Sequence, residues 1–408
     1  MGENGEWNLS GDRYGIKETI TSTWPVVPLG QLVKFLSGGT PSKKSQEFWS
    51  GPIPWVSPKD MKSDLLVDTE DHISETAIED SATTVVGAGT VLCVVRSGIL
   101  KHSLPIAVTA KTMCFNQDIK ALVPISDRIT AAYLFWVLKG RSEEILAKGI
   151  KPGVTVQSFY SKFFENFEIP LPPLDIQKEI VAEIEAYQKI IEGARQVVEN
   201  YQIRIPVLPD WPMVKLGKQY STSGGGTPSK SEPNNWTGNV PWVSPKDMKE
   251  DVILDTEDHI SEAAIEGSST KQYPAGTVVC VVRSGILKHS FPVAMLSRPM
   301  CINQDLIAFI PKDDTVIPQF LFFILKSRSR DILAEGIKPG VTVQSFYNGF
   351  FKSYKIPLPD IDTQCTIVAE IEAEQRLVDS NKELIRRFEE KIKQTINRVW
   401  GEEEGNHG

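Results

Sequence analysis

The sequence predicts an α+β protein: two similar globular α/β domains in a pseudo-twofold arrangement, joined by two long antiparallel coiled-coil helices. Three observations carry the prediction. The chain repeats itself at a constant offset of 187 positions within 408 residues. Each copy alternates short apolar runs with glycine and proline. Each copy then ends on a stretch with apolar residues at heptad spacing.

The repeat comes first, because fixed-period self-similarity decides architecture before local propensity does. TrpPro at 24–25 returns at 211–212, GGTPSK at 38–43 returns at 225–230, and PWVSPKDMK at 54–62 returns at 241–249. DTEDHISE at 68–75 returns at 255–262, CVVRSGILKHS at 93–103 at 280–290, and NQD at 116–118 at 303–305. GIKPGVTVQSFY, Gly149–Tyr160, returns letter for letter as Gly336–Tyr347. IVAEIEA at 180–186 returns at 367–373. Such a period is far too long for a solenoid and means two domains.

Within a copy, Gly87 and Gly89 precede an apolar run from Thr90 to Val95 that reads as a strand. Pro105–Thr109 and Ile119–Val123 read as strands, and Ile129–Lys148 as one helix. GIKPGVTVQSFY reads as a loop, with Ser158 placed to cap a short helix. Phe167–Pro170 is extended, and PLPPL ends it, since proline continues neither a ladder nor a helix.

From Asp175, a ready N-cap, apolar residues step by 4 and 3 through Ile180, Ile184, Tyr187, Ile191, Ala194, Val198 and Tyr201, which is a heptad seam. The second copy supplies Ile367, Ile371, Leu377/Val378, Ile385, Phe388, Ile392 and Val399, with Glu374 and Asn381 interrupting the seam. A helix of ~27 residues is ~40 Å long at 1.5 Å per residue. Its apolar stripe needs a partner. Either the two helices pair with each other, antiparallel, or each packs back on its own domain. The expected organisation is an extension at 1–23, a domain at 24–174, a spacer helix at 175–205, a domain at 206–361, a spacer helix at 362–400 and a tail at 401–408.

Composition bounds function without deciding it. No run of 18 apolar residues suggests a membrane span, and the polar MGENGEWNLSGDRYG start shows no secretory h-region, so a cytoplasmic chain is expected. Cys93, Cys114, Cys280, Cys301 and Cys365 have no metal-ligand spacing and read as reduced core thiols. The net charge of −8 argues weakly against nucleic acid, but the acidity is concentrated in the two helical stretches and the tail.

Catalytic chemistry is hard to find. GGTPSK lacks phosphate-loop spacing, and Ser97 and Ser284 sit in no nucleophile elbow. The carboxylates of DTEDHISE, with His72 and His259, read as turn and cap residues on a solvated face. A metal-dependent nuclease remains the enzyme alternative. What the copies supply is polar donors on loops, over glycines that let backbone approach a ligand. In the first copy these are Thr40, Ser42, Lys43, Ser57, Lys59, Lys62, Arg96, Ser97, Lys101, His102, Lys151, Thr155 and Gln157. In the second they are Thr227, Ser229, Lys230, Ser244, Lys246, Lys249, Arg283, Ser284, Lys288, His289, Lys338, Thr342 and Gln344. Each taken singly also reads as ordinary surface polarity, and GIKPGVTVQSFY equally as a rigid joint to the helix.

GGTPS near the start of each half, GIKPGVTVQSFY, and IPLPPLDIQKEIVAEIE with its looser copy IPLPDIDTQ closely resemble the specificity (S) subunits of type I restriction-modification systems. The resemblance covers Trp24 to Trp400. It implies two target recognition domains and two spacer helices. It implies double-stranded DNA and two methyltransferase (M) subunits as partners, with restriction/translocase (R) subunits where the system has them. It implies no catalytic residue and no cofactor on this chain. S-adenosylmethionine, ATP and Mg²⁺ are expected on partner subunits. Relatives usually carry two dissimilar recognition domains. Here the copies are nearly the same, so the expected target has inverted-repeat halves around an unread spacer. Lys44 against Ser231, Leu104 against Phe291 and Lys111 against Arg298 then bear little on base choice. The competing reading is a scaffold that tethers partners and reads no sequence.

Overall fold

The computed structural model describes residues 24–151, 156–339 and 343–401. The chain divides into two compact units. One comprises residues up to Arg195 and from Lys382 on; the other comprises Gln196–Asn381.

In the first unit the strands are β1 (Val26–Pro28), β2 (Val33–Ser37), β3 (Ile53–Val56), β4 (Leu65–Leu66), β5 (Asp71–Ile73), β6 (Thr84–Val86), β7 (Val91–Val94), β8 (Ile106–Thr109), β9 (Met113–Phe115), β10 (Ile119–Pro124) and β11 (Glu168–Pro170). They form a five-stranded sheet in the order β2-β10-β7-β8-β4 and a four-stranded sheet in the order β5-β3-β9-β6. β1 and β11 pair antiparallel, Val26 opposite Pro170, so the start of the domain is tied to its end. The central strand β7, VLCV, is buried at all four positions. That is why it reads as a continuous apolar run without alternation.

The second unit repeats this order at the shifted positions. Its larger sheet runs Tyr220–Gly224, Leu306–Pro311, Val278–Val281, Val293–Leu296 and Val252–Ile253. Each unit has its own continuous apolar core. Among the described residues, no helix is long and apolar enough to cross a membrane.

Several local expectations are corrected. Ile129–Lys148 is two helices, Ala131–Gly140 and Ser142–Gly149. They break at Arg141, where the Ser142 hydroxyl donates to the Lys139 carbonyl at 2.6 Å and the Arg141 amide to the Leu138 carbonyl. These groups satisfy the carbonyls that a helix end leaves open. Ser158 caps nothing, because its extended backbone bridges to Arg96. The short helix Phe163–Asn166 starts later, after Lys162 in the left-handed region at φ 65°. Asp175 lies inside the first turn of the helix Leu174–Asn200. In the second copy Asp360 is the cap, accepting from the Thr363 amide at 2.8 Å ahead of the helix Ile361–Val399. Pro173 stands where Asp360 would be, so the first helix has no such side chain. Four cysteines are buried as expected, but Cys365 is exposed on its helix.

The heptad residues do both things considered above. In the first unit Ile184 and Ile191 join one cluster with Ile392, Ile396 and Val399 of the second long helix, and that cluster is continuous with the domain core. Tyr187 meets Phe388 at 5.3 Å between ring centroids, and Glu183 accepts from Thr395 and Arg398. This register is antiparallel. Ile180 and Ile385 pack at its edge. In the second unit Ile367 and Ile371 enter the core with Ile203 and Trp211 beside them, and Val198 is half-buried.

Each long helix is also pinned where it leaves its domain. Gln177 and Gln364 are fully buried. The Gln177 carbonyl accepts from the Thr130 amide, and its NH₂ donates to the carbonyls of Arg128 and Pro172, at 2.8–3.0 Å. Gln364 repeats this with Ile317, Thr315 and Pro359. A glutamine can satisfy two carbonyl acceptors and one N–H donor at once, which fits a site lined by loop backbone.

Candidate nucleic-acid interface

The two most similar loop motifs are brought together. The Ser97 amide donates to the Gln157 carbonyl at 3.0 Å, the Phe159 amide to Val95, and the Lys151 amide to Ser158. The two ends of the Gly149–Tyr160 motif are therefore laced to each other and to the end of β7. Gly149 is required there, because an added Cβ would lie 2.5 Å from the Phe159 ring. Phe159 in turn packs at a tilt against Phe163 and Phe164. The second copy is built the same way, with Ser284 on Gln344 and Gly336 under Phe346. Thr155 and Thr342 lie outside the described residues.

At this junction Arg96 projects with about half its side chain exposed. Its Nε donates to Asp118 Oδ1 at 2.5 Å. Asp118 is held in turn by Asn116, whose side chain accepts from the Asp118 amide at 3.0 Å. Asn116 is buried and sits in the tight turn between β9 and β10. The neighbouring Gln117 accepts from the Thr40 hydroxyl at 2.6 Å. Arg283, Asp305, Asn303, Gln304 and Thr227 repeat this arrangement, with Arg283 Nε 2.6 Å from Asp305. An arginine held through Nε keeps its two terminal nitrogens as a planar fork, the geometry that pairs with guanine or phosphate. The sequence reading used Arg96 and Thr40 but missed Asn116, Gln117 and Asp118. The signal was present, because NQD recurs in both copies; nothing in the sequence says that it lies under the arginine.

The other candidates divide by what already holds them. Lys43, Lys62, Lys101 and His102 are exposed, as are Lys230, Lys249, Lys288 and His289. Lys151 and Lys338 are half-buried at the laced loop ends, as are Gln157 and Gln344. Ser57 and Ser244 are buried, and their hydroxyls donate to Asp60 and Asp247 at 2.7–2.8 Å. Lys59 bridges Glu70 and Asp71, and Lys246 bridges Glu257 and Asp258, each at 3.0 Å. Hydrogen bonds to Asp71 and then Glu70 raise the Lys59 pKa above its ordinary value. Ser97 and Ser284 cap the one-turn helices that follow. Ser42 accepts from the Lys44 amide, and Ser229 pairs with the Ser231 hydroxyl.

The glycines of GGTPSK serve a different end from the one expected. A Cβ on Gly38 would lie 2.0 Å from the Phe115 carbonyl oxygen, and one on Gly225 would lie 1.8 Å from that of Ile302. These glycines let the chain's own backbone cross, with Trp55 and Trp242 donating to the Gly39 and Gly226 carbonyls.

DTEDHISE forms an ion-pair cluster. His72 Nε2 is 2.9 Å from Asp68 Oδ1, and Lys111 is 3.1 Å from the same oxygen. The Lys111 ammonium, and then His72, hold the Asp68 carboxyl below the usual carboxylate range. Arg298 takes the place of Lys111 in the second copy, beside Asp255 and His259. Among the described residues, no group of three His, Cys, Asp or Glu side chains is placed to hold a metal.

Residues 21–200 and 209–393 both match the family model described as the type I restriction modification DNA specificity domain. The specificity subunit of the Escherichia coli type I restriction enzyme EcoR124I/EcoR124II is 39% identical over 179 residues, 43% of this chain and 44% of that one. The MjaIX specificity subunit of Methanocaldococcus jannaschii is 22% identical over 290 residues, 64% of this chain and 66% of that one. The MjaVIII specificity subunit of the same organism is 22% identical over 427 residues, 93% of each chain. The chain thus spans less than half of the E. coli relative and just under two thirds of the first archaeal one. Two solved structures share the fold. A chain from a structure described as the basis of complex assembly and conformational transition of the type I R-M system superposes with a TM-score of 0.61 at 17% identity, over 93% of this chain and 97% of that one. The S subunit of the M. genitalium type I restriction-modification system gives 0.52 at 12% identity, over 94% and 98%.

Proposed function

The chain belongs to the type I restriction-modification DNA specificity family, and from that premise we propose that its two globular domains each read one half of a bipartite duplex target. The observation that carries the reading is the buttressed arginine, present twice in the same setting. Arg96 on Asp118 and Arg283 on Asp305 each sit beside a laced loop end with a half-buried lysine, Lys151 or Lys338, and beside a threonine–glutamine pair. The fork suits a guanine edge, the glutamine an adenine edge, and the lysines phosphate. Because the shared residues are identical, the base pairs facing them form inverted repeats around an unread spacer. The long helices hold two adenine-N6 methyltransferase subunits and act as a ruler, and their 27 and 39 residues give length enough for that.

The chain itself is the non-catalytic part of a cytoplasmic complex. S-adenosylmethionine is bound by the methyltransferase subunits, and ATP and Mg²⁺ by restriction/translocase subunits where the system has them. The test is to co-express the chain with its methyltransferase subunit and map methylated adenines on random DNA. A bipartite motif whose halves share an inverted-repeat core is the expected result. Methylation without sequence preference would overturn the reading and leave a tethering scaffold in its place.

A further inference from the structure

In the second unit a groove of about 410 Å³ opens directly beside Arg283. Gln304 and Lys338 of the shared set line it, together with Thr222, Ile307, Asn348 and Lys352. These last four all differ from their counterparts 187 residues earlier, which are Phe35, Lys120, Ser161 and Glu165. Phe35 lies on β2 opposite Leu122, as Thr222 lies opposite Phe309. The Lys120 ammonium is turned onto the Ser37 hydroxyl, a bond that Ile307 and Gly224 cannot make. Apart from Gly349, where the first copy has Lys162, the other residues lining the groove are the same in both copies, so divergence in the lining is concentrated on this wall.

The chemistry of the wall changes more than its charge. Counting Lys162 against Gly349 as well, the substituted positions carry the same net formal charge in the two copies. The general pull on phosphate is therefore matched. Hydrogen-bonding capacity is not. Thr222 and Asn348 present groups that read base edges, with asparagine suited to adenine. Phe35 presents an apolar ring, which suits a thymine methyl.

Resting on the proposed reading of DNA by both domains, we infer that this wall is a second specificity element and makes the two half-sites unequal. Base pairs facing the arginine and glutamine are inverted repeats. At least one adjoining base pair is read by Thr222, Asn348 and Lys352 in one half and by Phe35 and Glu165 in the other.

The experiment is the methylation map of the complex, made with the natural chain and with a wall-exchanged chain carrying Thr222→Phe, Asn348→Ser and Lys352→Glu. The natural chain gives halves that match except at the adjoining position. The exchanged chain shifts preference there by about tenfold towards symmetry. A surface-only variant, Asn348→Ser with Lys352→Glu, moves the same position part of the way and leaves the strand untouched. A perfectly symmetric natural motif, or an asymmetry unmoved by the folded variants, overturns the inference while the two-domain reading stands. Absence of any motif overturns that reading itself.

Discussion

Replacing Arg96 tests base reading apart from general attraction to DNA. The side chain is 54% exposed, and its partner Asp118 is 23% exposed. An ion pair so open to water contributes roughly 0–1 kcal/mol to stability, so Arg96→Ala should leave the melting temperature almost unchanged. Against a guanine edge the same fork is worth about 1–3 kcal/mol, which is roughly 5–150-fold in preference for the cognate half-site. Arg96→Lys keeps the charge but loses the planar fork, so it should lose most of that preference while keeping the salt dependence of the natural chain. Asp118→Asn removes a negative charge and slackens the fork. Affinity for scrambled duplex should rise slightly while discrimination falls. The assay is fluorescence anisotropy of the assembled complex on cognate and scrambled duplexes across a salt series. The reasoning is refuted if Arg96→Ala weakens both duplexes equally and lowers the salt slope by about 1, because that is the signature of a phosphate contact.

Three further outcomes follow from the same geometry. Gln177→Ala or Gln364→Ala strands buried loop groups that each glutamine satisfies, so chemical denaturation should show a loss of roughly 2–4 kcal/mol, with the exposed Gln202→Ala as the neutral control. Lys162 holds a left-handed backbone where the second copy has Gly349 at φ 75°. Lys162→Gly should therefore stabilise by roughly 0.5–1 kcal/mol and Gly349→Lys destabilise by roughly as much, both read from melting curves. Burial, and then the charge of Glu374, push the Tyr201 hydroxyl up to about 12. A raised folded-state pKa means stability is complete below the ordinary tyrosine value of about 10 and is lost as pH rises towards 12. Tyr201→Phe should flatten that alkaline limb, and an unchanged pH profile would refute the assignment.

Much of this was legible in the sequence. The constant offset established two domains, because only duplication preserves register through so many motifs. The heptad spacing marked both long helices, since amphipathic period is a local property of the chain, although the first ends at Asn200 and not at the expected 205. Tertiary structure decided the rest. Arg141 splits a segment that reads as one helix, because side-chain and backbone donors end the first helix there. Gln177 and Gln364 resemble solvent-facing heptad residues, and only the loops folded over them make them buried pins. The glycines of GGTPSK are tight because other strands cross them. Above all, Arg96 and Asp118 lie 22 residues apart, and Arg96 and Gln157 farther still. Residue type and spacing along the chain mark the candidate side chains. Which of them share a hydrogen-bonded cluster is set by strand pairing and loop crossing, and those contacts leave no periodic trace along the chain.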